Sequence, residues 1–296
     1  MPGDDNNLSP RTVLQWLQER GHSGREARTL LQTGKVWLQD VPVLDASRSA
    51  EAGLRVMPER PKFDARHEPA VVARDTRLCV IYKPSGFLSV PAPGRREPSV
   101  LRAAERWFGR AFAVHRIDEG TSGLLMVALD EATQLLLKGS FEAHDVERSY
   151  LALAAGNVPN TPSTIRSHLV RDRGDGKRGS VGAATTDSKL AVTHLKCIGR
   201  FGAGSLVEAR LETGRTHQVR IHLAESGHPV LGDDLYGTGR SASRLALHAH
   251  ILGFRHPWTG VMHRYVSPLP DDLARLLARE PPGEPRRGSG PRARQR

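Results

Sequence analysis

The chain is short of the residues that build several common classes of protein. Its 296 residues hold two cysteines, Cys79 and Cys197. They stand far apart with no C-x-x-C, so neither a disulfide framework nor a cysteine zinc site is indicated, and both are expected as small buried hydrophobes. No apolar run approaches the roughly eighteen residues that a membrane span needs. The first twenty residues lack the apolar core of a signal peptide, so a cytoplasmic address with no membrane partner is expected. There is no H-E-x-x-H, no G-x-S-x-G elbow and no internal repeat.

What the chain has in excess is positive charge. Forty-three Lys and Arg against thirty-two Asp and Glu give a formal net charge of +11. Distributed cations attract phosphates over long range and release counterions on binding, so a polyanion is the expected partner, nucleic acid ahead of an anionic membrane surface. The length suits one large domain with a smaller companion.

In chain order, Ser9 and Pro10 suggest a cap and first-turn proline, followed by a helix with Val13, Leu14 and Leu17 on one face and a stop at Gly21. Ser23-x-x-Glu26 is a capping-box spacing that opens a second helix, with Gly34 as its stop. Val36, Leu38 and then Leu54 to Met57 read as strand. The exposed faces carry Arg11, Arg20, Arg25, Arg28 and Lys35. Residues 1–58 thus form a small helix-helix-strand unit, and residues 59–69 have the proline and charge content of a linker.

Residues 70–279 read as a second domain. Strands are expected at Ala70 to Ala73, Leu78 to Tyr82, Leu124 to Leu129 and Arg148 to Ala155. Further strands are expected at Lys189 to Ile198, Ser205 to Leu211, Leu245 to Phe254 and Val261 to Val266. Helices are expected at Ser99 to Trp107, at Glu131 to Ala143 behind an Asp130 cap, through Ala224 and at Asp271 to Arg279. Short links with few intervening helices predict an α+β fold on a mainly antiparallel sheet. The Pro, Gly and Arg content of residues 280–296 predicts a disordered basic tail.

The densest chemistry lies in Val114-His115-Arg116-Ile117-Asp118-Glu119-Gly120-Thr121-Ser122-Gly123, where a cation and carboxylates sit between hydrophobic runs. Asp118 is the leading candidate acid and Ser122 reads as a turn residue. Lys83-Pro84-Ser85-Gly86 places a cation at the mouth of a turn. In Arg215-Thr216-His217-Gln218-Val219-Arg220-Ile221-His222 a helix could present an arginine to a carboxylate or phosphate, although a surface ion pair is the plainer reading. Gly174-x-Gly176-x-x-Gly179 matches the dinucleotide fingerprint in letters, but no helical period follows it, so a flexible basic loop touching RNA backbone is expected instead. Thirteen histidines raise a metal reading at His248-x-His250, but no carboxylate cluster stands at a convincing spacing, so packing or hydrogen bonding on one strand face is the expected role.

Together these segments resemble a known family. His115-Arg116-Ile117-Asp118-x-x-Thr121-Ser122-Gly123-Leu124 is similar to the catalytic motif of the pseudouridine synthases named after the large-subunit ribosomal RNA synthase A. Lys83-Pro84-Ser85-Gly86, Arg148-x-Tyr150, Gly214-Arg215-Thr216-His217-Gln218-Val219-Arg220-x-His222, Gly227-x-Pro229-x-x-Gly232-Asp233, Tyr236-Gly237 and Leu247-His248-Ala249 follow in that family's order. The match covers about residues 70 to 268. Residues 25–38 resemble the small RNA-binding domain first seen in the fourth protein of the small ribosomal subunit.

The resemblance implies a mixed, mainly antiparallel catalytic sheet and isomerisation of uridine within structured RNA, with no cofactor and no metal. It implies Asp118 as the catalytic carboxylate, Arg220 as its ionic partner and Tyr150 as the ring against the uracil, with a possible part in the final proton removal. Arg116 would hold the vacated base stack, and His115, Lys83, Arg215 and His217 would border the pocket or support its loops. Arg148 departs from the lysine common in relatives but keeps the charge. The rival readings are an RNA-binding or ribosome-assembly factor that no longer catalyses, and a histidine-metal hydrolase. Ribosomal RNA is the leading substrate, with transfer RNA second, and monomer is the default state.

Overall fold

The computed structural model describes residues 11–32, 35–38, 41–43, 46–56, 68–94, 97–237 and 242–277. Thr12 caps helix α1 (Val13–Gln18) through a capping box, its hydroxyl accepting from Gln15 N while the Gln15 side chain accepts from Thr12 N. Ser9 and Pro10 lie outside the described residues, and Thr12 takes the role expected of Ser9. The Ser23-x-x-Glu26 box is formed as its spacing predicts and opens α2 (Gly24–Gln32). The expected stop at Gly34 lies outside the described residues.

Three short strands, β1 (Val36–Leu38), β2 (Val41–Pro42) and β3 (Leu54–Val56), pair antiparallel in the order β2-β1-β3. Val13, Leu17, Ala27, Leu31 and Val36 close a core between helices and strands. Residues 59–67 of the expected linker and the expected tail at 280–296 lie outside the described residues.

The second unit contains β4 (Ala70–Arg74), β5 (Leu78–Lys83), α3 (Val100–Phe108), β6 (Phe112–Ala113), β7 (Ser122–Ala128), α4 (Glu131–Glu142), β8 (Glu147–Ala155), β9 (Ser163–Val170) and β10 (Gly179–Val181). It continues through β11 (Lys189–Phe201), β12 (Gly204–Leu211), α5 (Gln218–Glu225), β13 (Leu247–Arg255), β14 (Met262–Val266) and α6 (Asp271–Leu277). Its 11-stranded sheet runs β10-β9-β11-β12-β8-β13-β7-β5-β4, with β14 beside β13 and β6 beside β7. The β7–β13 pair is parallel and the other pairs of this sheet are antiparallel. The expected α+β class with a mixed, mainly antiparallel sheet is therefore what the chain forms. No helix among the described residues is long and apolar enough to cross a membrane.

Burial explains which elements the pattern revealed. Every residue of β7 is buried, as a continuous apolar run in a covered central strand requires. By contrast, β9 has one fully buried residue, Leu169, so its polar sequence hides a strand that the pattern did not predict. Asp130 caps α4 by accepting from Thr133 N at 2.8 Å, as expected.

Ser122 and Gly123 are not turn residues. They open β7, where Ser122 pairs with His248 and Gly123 with Ala249. The two backbones approach so closely that a Cβ on Gly123, at φ +118°, would lie 2.1 Å from the Ala249 carbonyl oxygen.

The His248-x-His250 pair serves this packing. His248 Nδ1 lies 2.9 Å from Ser122 Oγ and its Nε2 lies 3.1 Å from Ser267 Oγ, while His250 Nδ1 donates to Ser267 O at 2.6 Å. Both rings are fully buried. Burial pushes the His250 imidazole down to about 4 and His248 well below its ordinary 6.5.

The native state thus refuses protons that the unfolded chain accepts. Stability is full above about 6.5 and is lost as pH falls from there toward about 4. A series of thermal melts across that window should show a falling melting temperature. The fall should be shallower in His250→Gln, which cannot charge.

Candidate active site

Asp118 stands on the segment between β6 and β7, and that segment is held chiefly through its backbone. Ser89 Oγ donates to Ile117 O at 2.6 Å and accepts from Ile117 N at 3.0 Å. Ser85 Oγ donates to Gly120 O at 2.7 Å, and Gly86 N donates to Glu119 O at 2.8 Å. The Lys83-Pro84-Ser85-Gly86 turn is therefore a cradle for the residues around the candidate acid.

Lys83 completes the cradle from inside. It is 0% exposed, and Nζ donates to the carbonyls of Pro84, Phe87 and Glu119 at 3.0, 2.7 and 2.8 Å. Burial pushes its ammonium down to about 7. Three acceptors nonetheless occupy three N–H donors, which only the charged form supplies. With its donors used internally, Lys83 supports the loop and has none left for a substrate.

The expected contact between Arg220 and Asp118 is present but long, with Nη1 3.5 Å from Asp118 Oδ2. The guanidinium is fixed by a different carboxylate. Arg220 Nε donates to Asp233 Oδ2 at 2.8 Å and Nη2 to Asp233 Oδ1 at 2.7 Å, a bidentate pair whose acid is fully buried. Burial pushes the Asp233 carboxyl up, but Arg220 and the N–H groups of Tyr236 and Leu235 outweigh it and leave the acid below its ordinary range. Asp233 belongs to the Gly232-Asp233 motif but had no expected role, because nothing in its spacing points to Arg220.

A cleft of about 510 Å³ opens beside Asp118, and Arg116, Arg148, Tyr150 and Arg215 are among the residues that line it. A second hollow of about 370 Å³ meets Asp118 from the other side, with Arg116, His217 and Arg220 on its wall. Tyr150, on β8, is deeply set, and burial pushes its phenol up to about 12. Arg116 is exposed and has no hydrogen-bond or ion-pair partner among the described residues.

The remaining expected site residues are braced by the protein. His115 Nε2 accepts from Met126 N at 3.0 Å, so its ring proton is on Nδ1. The ring stacks on Phe141, and burial pushes its imidazole down to about 3. Arg215 Nε donates to Leu190 O at 2.9 Å. His217 precedes α5 in a left-handed conformation with Nδ1 3.0 Å from the Tyr236 hydroxyl.

Arg148 also enters the cleft. Its Nη2 donates to Glu212 O at 2.8 Å, and a Cβ on Gly214 would come within 2.5 Å of its Nη1. The glycine makes room for the larger cation.

The pattern matches known proteins. A family model described as RNA pseudouridylate synthase covers residues 77–225. The chain belongs to this family. It is 34% identical over 288 residues to a protein of Bacillus subtilis described as an uncharacterized RNA pseudouridine synthase, covering 92% of this chain and 90% of that protein. A ribosomal large subunit pseudouridine synthase D from Pseudomonas aeruginosa is 34% identical, with 71% of each chain covered. The one from Neisseria meningitidis serogroup A is 34% identical over 78% of this chain and 64% of its own length.

Among solved structures, the human RNA pseudouridylate synthase domain containing 1 superposes with a TM-score of 0.58 at 27% identity, covering 68% of this chain and 83% of that one. The chain is thus an RNA pseudouridine synthase, an isomerase acting on RNA.

If Asp233 fixes Arg220 beside Asp118, Asp233→Asn should lower kcat by at least about tenfold with little change in RNA affinity. It should also lower unfolding stability by about 3 kcal/mol, because it strands a buried cation. Single-turnover kinetics and denaturant melts read the two effects. Lys83→Met should likewise reduce kcat through the loop, and an unchanged kcat would remove the cradle role.

Proposed function

We propose that this enzyme converts uridines of ribosomal RNA to pseudouridine with Asp118 as its catalytic carboxylate. The convergence on Asp118 of two residues remote in sequence carries this reading, Tyr150 from the cleft on one side and Arg220 from the hollow on the other. The reaction breaks the bond from the ribose to N1 of uracil, rotates the base and forms a bond to C5. The C5 proton is lost and N1 gains one. A single carboxylate serves whether it attacks the base or promotes a glycal.

The side chains divide this work. Tyr150 offers its ring face to the uracil, and a phenol near 12 keeps its proton at neutral pH, which favours stacking and hydrogen-bond donation over action as a base. Arg116, flat, cationic and unpaired, suits the gap left by an extruded base. Arg215 and His217 border the substrate, and His115 and Lys83 hold the walls. The chemistry needs neither cofactor nor metal.

Residues 1–58 would act as an accessory RNA-binding domain, joined through 59–69 to the catalytic domain at 70–279. The basic tail at 280–296 would add charge. The enzyme would act as a cytoplasmic monomer. Ribosomal RNA leads because the Neisseria and Pseudomonas relatives are named for the large ribosomal subunit, with transfer RNA as the second substrate.

Asp118→Asn should reduce isomerisation of ribosomal RNA to background while binding stays within about twofold of wild type. Full activity in that variant would end the assignment. Pseudouridine maps of total RNA from cells with and without the gene would name the uridine. Sites lost only from transfer RNA would overturn the ribosomal substrate.

A further inference from the structure

The Gly174-x-Gly176-x-x-Gly179 segment plays no part in the chemistry at Asp118, yet it is not a loose loop. Strand β9 leads out to Val170 and β10 returns antiparallel, with Gly179 paired to Val170 and Val181 to His168. At the tip, Asp172 Oδ1 accepts from Gly174 N at 2.8 Å and from Gly176 N at 2.9 Å, and Arg173 N donates to Lys177 O at 2.9 Å. The glycines shape a hairpin tip instead of a nucleotide cradle.

Two anchors then fix this arm against the active site. Ser180 donates to Glu225 on α5 through its backbone N at 2.9 Å and through its hydroxyl, and Arg173 lies 3.6 Å from the same carboxylate. A Cβ on Gly179 would fall 2.4 Å from Arg173 Cδ, so the glycine lets that arginine fold back. Lys177 Nζ donates to Leu235 O at 2.9 Å. Leu235 precedes Tyr236, whose hydroxyl meets His217 and whose ring lies under the Arg220 guanidinium.

Arg178 follows the anchored lysine directly. It is half-buried, has no hydrogen-bond or ion-pair partner among the described residues, and acts electrostatically on His217 and Tyr236. The arm's own acids are engaged elsewhere, Asp172 by glycine N–H groups and Asp175 by Arg173 at 2.9 Å. Arg171 is exposed and unpartnered among the described residues. An unpaired guanidinium on an arm anchored next to Tyr236 and His217 suits a group with negative charge and two oxygens in one plane, and phosphates flank every extruded nucleotide.

We propose that the β9–β10 arm is a phosphate clamp, in which Arg178 grips the RNA backbone beside the target uridine and Arg171 extends the cationic track outward. The proposal rests on the reading that the target uridine docks at Asp118. Its energy is electrostatic and independent of base identity. Lys177 sets the position of the clamp through Leu235 and does not itself grip the RNA.

The test uses the full chain and a transcript of large-subunit ribosomal RNA, with dissociation constants measured over a range of salt. Arg178→Ala should weaken binding about tenfold at low salt and make the slope of log Kd against log salt shallower by about one. Arg178→Lys should keep the slope. Lys177→Met should weaken binding although Arg178 is still present. In turnover, the Arg178→Ala loss should fall on KM.

Affinity and slope unchanged in Arg178→Ala, or a loss carried by kcat alone, would overturn the clamp while leaving the Asp118 reading intact. Wild type that binds the transcript with the expected slope change but gives no pseudouridine would uphold the clamp and count against the substrate assignment. Wild type that does not bind would overturn both. Thermal melts of Arg178→Ala should match wild type, since the side chain has no protein partner to lose.

Discussion

The site depends on one guanidinium shared between two carboxylates. Arg220 is gripped by Asp233 at 2.7 and 2.8 Å and reaches Asp118 at 3.5 Å. Short bidentate bonds to a buried acid fix the plane of the cation. The longer contact gives Asp118 a positive neighbour without tying up its oxygens. A short bond would occupy the Asp118 oxygens, whereas no cation at all would leave a partly buried negative charge uncompensated.

The second constraint is mechanical. A carboxylate on a loop is useful only if the loop is stiff, and here the stiffness comes from hydrogen bonds to Ile117, Glu119 and Gly120 backbone atoms. They arise from Lys83, Ser85 and Ser89, more than twenty-five residues upstream, so β5 and the turn after it act as a jig. The parallel contact of Gly123 with Ala249 sets the far end of the loop. Side chains around Asp118 are thereby free to face the cleft, with Arg116 exposed to solvent and Tyr150 set deep in the wall.

A third level joins the chemistry to the surface. The segment from Asp233 to Tyr236 carries the partner of Arg220, the hydroxyl against His217 and the carbonyl that Lys177 grips. One short turn therefore links the ion pair of Arg220 with Asp118 to the hairpin that reaches outward. Positive charge is spread over the whole chain, but only a few cations lie close to the cleft without an acid of their own.

Local patterns settled the elements whose signal is local. The Ser23-x-x-Glu26 box, the Asp130 cap and the apolar run of β7 all formed where residue type and spacing placed them, because capping and burial act over a few residues. The motif around Asp118, read with the motifs at Tyr150 and Arg220, also identified the family. The polar strand β9 and the placement of Ser122 and Gly123 in a strand were not legible. Each depends on a neighbour that is distant in the chain. The same holds for Asp233 as the true anchor of Arg220 and for Lys83 as a buried strut. Sequence determined which groups could act, while only the tertiary structure decided which were left free to act, because hydrogen bonds between remote segments consume some of them and not others.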